Sequence, residues 1–116
     1  MRPLLSLLLL ATLSSGAFAA DITVGAMMQL QANSMSFETA DQLAKWHDVK
    51  KNSSPAALAK YEQTQMHARD AWQFLDNIDV KILGYDPAKA QVEVQMKTAG
   101  RRSDSTWFVD PTALTK

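Results

Sequence analysis

The 116-residue chain contains no cysteine. It therefore forms no disulfide, and it has no cysteine that could carry the N-terminal lipid of an exported lipoprotein. Small secreted eukaryotic domains usually depend on disulfides. If the protein is exported, its fold must be held together by packing alone, which is more typical of a bacterial periplasmic protein.

The chain also lacks an excess of either charge. It carries 12 Lys and Arg against 12 Asp and Glu, and without Arg2 the remaining 11 basic residues face the same 12 acids. Nucleic acids and anionic membrane surfaces attract proteins with a basic excess. The composition therefore argues against either as a partner.

No apolar run is long enough to remain in a membrane. Residues 4–13 are mostly Leu, but a helix that spans a bilayer needs about 20 apolar residues. The run follows Arg2 and precedes Ala17-Phe18-Ala19, which places small residues at the two positions that signal peptidase reads. We predict that residues 1–19 are a cleaved Sec signal peptide. Residues 20–116 then form a single small α+β domain in the periplasm or outside the cell, without a stable membrane anchor.

Two stretches show helical patterns. In the first, 39–51, Thr39 stands three residues before Gln42, the spacing of a capping box. The second, 54–77, begins with a Ser cap and Pro55 at the first helical position. About four residues join the stretches, which predicts an antiparallel helical hairpin.

The second stretch carries an apolar stripe at steps of three and four residues. We expect Trp72 in this stripe to be buried between helix and sheet, so that Trp72→Ala costs about 3–5 kcal/mol. The stripe consists of Leu58, Tyr61, Gln65, Ala68, Trp72 and Leu75.

From Ile78 onward the period changes to two, which predicts strands. A loop of three or five residues pairs Ile82 with Val92, and a bulge at Gly84 is the alternative. A third strand, 105–109, places Trp107 beside Met96. The alternation of 22–31 is typical of a strand, which would be the fourth of the sheet. The apolar face predicted for the first three strands consists of Ile78, Val80, Ile82, Val92, Val94, Met96, Trp107 and Val109.

These elements predict an α+β fold in which a two-helix antiparallel hairpin packs on a 3–4-stranded antiparallel sheet. The ending Ser105–Leu114 resembles the last strand and short helical turn of SH3-like barrels in bacterial exported proteins. That resemblance implies an alternative fold, an SH3-like small barrel with a helical insertion. It covers at most the 39 residues from Ile78, and no strand is predicted after Leu114.

Motifs for catalysis are missing as well. Hydrolases align a nucleophile with a histidine and an orienting acid, but no serine here lies in a strand–turn–helix motif, and the acids are scattered singly. The sequence therefore predicts no catalytic, cofactor-binding or metal-binding residue. A small enzyme remains an alternative if a pocket brings His47 or His67 near an acid or serine.

The leading hypothesis is an exported, non-enzymatic binding or accessory protein. Its partner would be another protein or an envelope component, recognised through a surface formed by Leu83 and Phe108 with the turn residues Arg101 and Arg102. Another alternative is a periplasmic copper protein, because thioethers suit Cu(I). It would use the two histidines and Met27, Met28, Met35, Met66 and Met96.

Overall fold

The computed structural model describes residues 21–98 and 104–116. Two helices pack on one antiparallel sheet, so the expected α+β fold with a two-helix element is confirmed. Within these residues the sheet has seven strands rather than three or four. The predicted signal peptide and the pair Arg101 and Arg102 lie outside the described residues. None of the helices in those two ranges is long and apolar enough to cross a membrane.

The seven strands lie in the spatial order β3-β2-β6-β5-β4-β1-β7. One-turn 3-10 helices, Pro87–Lys89 and Pro111–Ala113, precede β5 and β7. In chain order the strands and α-helices are β1 (Met27–Leu30), β2 (Met35–Phe37), α1 (Ala40–Asn52), α2 (Pro55–His67), β3 (Ala71–Gln73), β4 (Ile78–Asp86), β5 (Gln91–Met96), β6 (Thr106–Val109) and β7 (Leu114–Thr115).

Helix α1 begins as predicted. The Thr39 hydroxyl accepts a hydrogen bond from the backbone N–H of Gln42 at 3.2 Å, and the Gln42 side chain accepts one from the N–H of Thr39 at 3.0 Å. Each bond satisfies an N–H that the helix itself leaves without an acceptor. This confirms the capping box.

We expect Thr39→Ala to lower the free energy of unfolding by about 1 kcal/mol, because the N–H of Gln42 loses its acceptor. Urea denaturation followed by circular dichroism measures the loss. Lys45→Ala, at an exposed position of the same helix, is the matched control and should change little. Equal losses in the two variants would contradict this role for the cap.

Helix α2 begins at Pro55, with Ser54 as its cap, as predicted, but it ends at His67. Arg69 then adopts a positive φ of 66°, and the chain continues into β3. Trp72 lies on that strand and is 39% exposed, so its predicted burial under a longer helix is wrong. The reason is strand pairing. Residues 35–37, for which no strand was predicted, form β2 and bind β3 along its length.

The register within the sheet differs from the prediction by two residues. Ile82 pairs with Val94 rather than Val92, and Trp107 also pairs with Val94 rather than with Met96. The ladder shifts between Ile82 and Gly84, which confirms the alternative of a bulge there. Since side chains alternate with period two, a shift of two residues leaves every predicted inward residue on the same face.

An inner cluster lies on one face of the sheet, and it includes all eight residues of the predicted apolar face. It contains residues of strands and of the second 3-10 turn rather than of α1 or α2, so the sheet covers its own apolar face. The prediction that the helices cover it is wrong. The buried residues of the inner cluster are Met28, Leu30, Ile78, Val80, Ile82, Val92, Val94, Met96, Trp107, Val109, Ala113 and Leu114.

The helices instead pack on the other face of the sheet, around an outer cluster. Phe37 of β2 and Phe108 of β6 are directly paired and so project from that same face. Half-buried Leu58 and Tyr61 of α2 add to the packing. The buried residues of the outer cluster are Met35, Phe37, Leu43, Trp46 and Ala71.

Candidate functional site

A cleft lies beside β3, the strand at one end of the sheet. Its volume is about 410 Å³, within the range of pockets that hold small organic ligands. Residues from the end of β2, the connection after α2, β3 and β6 meet here. We call it the indole cleft, and its described lining residues are Glu38, Arg69, Ala71, Trp72 and Trp107.

A row of aromatic rings orients the indole of Trp72. The centroid of Trp72 lies 6.4 Å from that of Phe74, and Phe74 lies 5.9 Å from Trp107 at an interplanar angle of 90°. Edge-to-face contacts of this kind add stability beyond the burial of area. The indole N–H of Trp107 donates to the Ser105 hydroxyl at 2.8 Å. Trp72 is therefore held in place while part of its ring faces solvent.

The cleft also carries one charge of each sign. Glu38 and Arg69 both line it, and neither side chain forms an ion pair or hydrogen bond with another residue of 21–98 or 104–116. A carboxylate only accepts hydrogen bonds and a guanidinium only donates them. The two side chains therefore bring opposite hydrogen-bonding capacities to the same cleft.

Two further features of this region cost stability. Arg69 holds a left-handed backbone conformation that residues other than glycine rarely adopt. Ser36 lies opposite Trp72 in the register and is 0% exposed, yet its hydroxyl has no hydrogen-bond partner among the described residues. An unsatisfied buried hydroxyl costs about 1–3 kcal/mol. Local costs of this kind occur preferentially at functional sites.

A second polar arrangement joins α1 to the end of the chain. His47 Nε2 lies 2.7 Å from Asp110 Oδ1, and the backbone N–H and hydroxyl of Thr112 both donate to Asp110 Oδ2. Partial burial raises the pKa of Asp110, but the hydrogen bonds from Thr112 and His47 outweigh it and hold that pKa below its usual value. Asp110 thus caps the final 3-10 turn and also anchors α1.

The His47–Asp110 contact meets one requirement of the small-enzyme alternative, a histidine near an acid. Thr112 supplies a hydroxyl, but it donates to Asp110 and makes no hydrogen bond with His47 among the described residues. In a catalytic triad the nucleophile bonds the histidine and the acid orients it. This arrangement instead has both groups bound to the acid, which suits a structural anchor. His67 is exposed at the end of α2.

Only part of the surface predicted from sequence lies within the described residues. Phe108 is half-buried against the outer cluster, and Leu83 is half-buried at the bulge of β4. Arg101 and Arg102 lie outside the described residues, so this surface stays a prediction.

The methionines of the copper alternative are dispersed: Met28 and Met96 lie in the inner cluster and Met35 in the outer one. Within 21–98 and 104–116, no group of three or more His, Cys, Asp or Glu could hold a metal ion.

Sequence reasoning missed the indole cleft, because it placed Trp72 inside a helix. One signal was available. Trp72 and Phe74 stand two apart, the spacing that puts two aromatics on one face of an extended chain. The meeting of Glu38 with Arg69 had no local signal, since 31 positions separate them in the chain.

No protein-family model, curated protein or solved structure matches the chain.

Proposed function

We propose that the protein is an exported, non-enzymatic binding or accessory module that recognises an envelope component or another protein through the indole cleft. One observation carries the proposal: partly exposed Trp72 shares a cleft with Glu38 and Arg69, and neither of these two forms an ion pair within residues 21–98 and 104–116. Large aromatics that stay exposed on a folded domain are often part of binding surfaces. The cleft is a better candidate than Phe108, whose ring is partly covered by the helices.

The compartment is part of the proposal and rests on the sequence. Residues 1–19 have the pattern of a Sec signal peptide, and the cysteine-free chain suits the periplasm. A partner in the envelope would be accessible there.

We also propose that the sheet is an SH3-like barrel with a helical insertion. The connectivity supports this. Strand β1 is followed by the inserted segment 35–73, then by the meander β4-β5-β6, a 3-10 turn and β7, which returns to pair with β1. The last strand, β7, was missing from the sequence-based comparison. The proposal concerns the fold alone, because such folds serve many functions.

Site-specific photo-cross-linking in cells tests the proposed function. The photoreactive residue p-benzoylphenylalanine replaces Trp72 in one variant of the full chain and exposed Lys60, on α2, in the control. We expect light to produce a discrete high-mass adduct from position 72 and none from position 60. Circular dichroism establishes that both variants fold. If both positions give the same adducts, or position 72 gives none, the cleft is not the binding surface.

A further inference from the structure

We propose that the ligand of the indole cleft is a neutral saccharide, one of whose rings stacks on Trp72. This deepens the proposed function and rests on it, since it names the chemistry that the same cleft recognises.

The sheet edge argues against an extended polypeptide as the ligand. The N–H of Glu38 donates to the carbonyl of Asp70, so by antiparallel alternation Ser36 and Trp72 form the next hydrogen-bonded pair. The main-chain groups of Ala71 between them therefore point away from β2, toward the free edge. Ala71 is only 1% exposed. A second strand cannot reach the main-chain groups of Ala71, so an added strand could not pair along the whole of β3.

The exposed side chain suits a flat ligand with an apolar face. Trp72 offers part of its indole to solvent, in a cleft large enough for a small ring compound. The C–H groups on one face of a sugar ring pack against an indole by dispersion and exclusion of water. The ring row of Trp72, Phe74 and Trp107 fixes the plane on which the sugar lies, so little ordering is needed on binding.

The charges suit a ligand that is neutral and rich in hydroxyls. An anion would face the carboxylate of Glu38, a cation would face the guanidinium of Arg69, and an apolar ligand would strip water from both without replacing it. Neighbouring hydroxyls of a sugar donate to the carboxylate and accept from the guanidinium at once. Hydrogen bonds to charged groups are the stronger kind, which compensates for the loss of hydration.

Nuclear magnetic resonance titration of the ¹⁵N-labelled domain tests the inference. The probes are three neutral disaccharides, maltose, cellobiose and N,N′-diacetylchitobiose, with glucuronate and glucosamine as charged comparisons. We expect at least one neutral probe to shift the indole N–H of Trp72 and the amide of Glu38, with a Kd of about 1 mM or tighter. The inference is overturned if no neutral probe at about 10 mM shifts these signals, or if a charged sugar binds more tightly.

Variants show whether binding uses the proposed groups. We expect Trp72→Ala to weaken binding about tenfold or more, the scale of losing a stacked ring. Glu38→Gln and Arg69→Gln should weaken it roughly threefold to tenfold. Both are exposed, so their folds should survive even if Trp72→Ala does not. Leu75→Ala, exposed and not among the lining residues, is the matched control. Unchanged affinity in both charge variants overturns the assignment.

The two experiments can fail separately. Cross-links to a protein from position 72, together with no sugar binding, would keep the proposed function and refute the saccharide. Adducts that a glycosidase shortens would support both proposals. The absence of both cross-links and sugar binding would remove the proposed function together with the inference.

Discussion

Replacing Phe37 by alanine is expected to remove most of the domain's stability, at a cost of about 3–5 kcal/mol. Small domains have total unfolding free energies of about 5–15 kcal/mol. The variant should therefore melt far below the native protein, or be unfolded at physiological temperature.

The size of the effect follows from the position of Phe37. Its side chain is 0% exposed at the centre of the outer cluster. It pairs with Ala71 on one neighbouring strand and Phe108 on the other, and its ring lies 5.8 Å from that of Trp46 on α1. Truncation opens a cavity where four elements, β2, β3, β6 and α1, meet. The backbone pairing on both sides of β2 limits how far the site can collapse.

Urea denaturation compares Phe37→Ala with a matched aromatic truncation, Trp72→Ala, on the adjacent strand. Because Trp72 is partly exposed, we expect Trp72→Ala to lower the free energy of unfolding by less than half as much as Phe37→Ala does. Leu75→Ala, at a well-exposed site, should change stability by no more than about 0.5 kcal/mol. Equal losses at Phe37 and Trp72 would contradict this division of roles and favour a buried Trp72.

The contrast between these two aromatics shows what periodicity can determine. Alternation placed Val80, Val94 and Trp107 on the inward face correctly, and all three are buried. It did not determine which residue pairs with which, because a shift of two positions keeps the pattern intact. The bulge beside Gly84, which the sequence offered only as an alternative to a longer loop, sets the register.

Helix α2 illustrates a different limit. The stripe that ends in Ala68, Trp72 and Leu75 fits a helix, and no glycine or proline interrupts it. The chain nevertheless leaves the helix through the positive φ of Arg69, because β2 provides a strand with which residues 71–73 can pair. Tertiary pairing overrode local preference there. The indole cleft was missed for the same reason, because three of its described lining residues, at 69–72, lie in the stretch that was assigned to the helix.

The second large effect is expected at Asp110. We expect Asp110→Ala to lower the free energy of unfolding at neutral pH by about 1–3 kcal/mol. The substitution removes the carboxylate that accepts from the Thr112 N–H and that binds His47 Nε2. His47→Ala should cost less, because the cap on Thr112 survives.

The dependence on pH separates this role from simple packing. Folding lowers the pKa of Asp110, so the ionised carboxylate is favoured in the native state. Its contribution is therefore complete above the pKa of the unfolded chain, declines as pH falls below that value, and is lost below the folded pKa. In urea denaturation from neutral pH to about pH 3, the difference between native protein and Asp110→Ala should shrink on acidification. A difference that grows would show that the carboxylate is destabilised by folding.

Asp110→Asn, which keeps the shape and an acceptor oxygen but cannot titrate, should be less destabilised than Asp110→Ala at every pH. The stability of Asp110→Asn relative to the native protein also measures how much of the stabilisation by Asp110 requires the negative charge of its carboxylate beside His47.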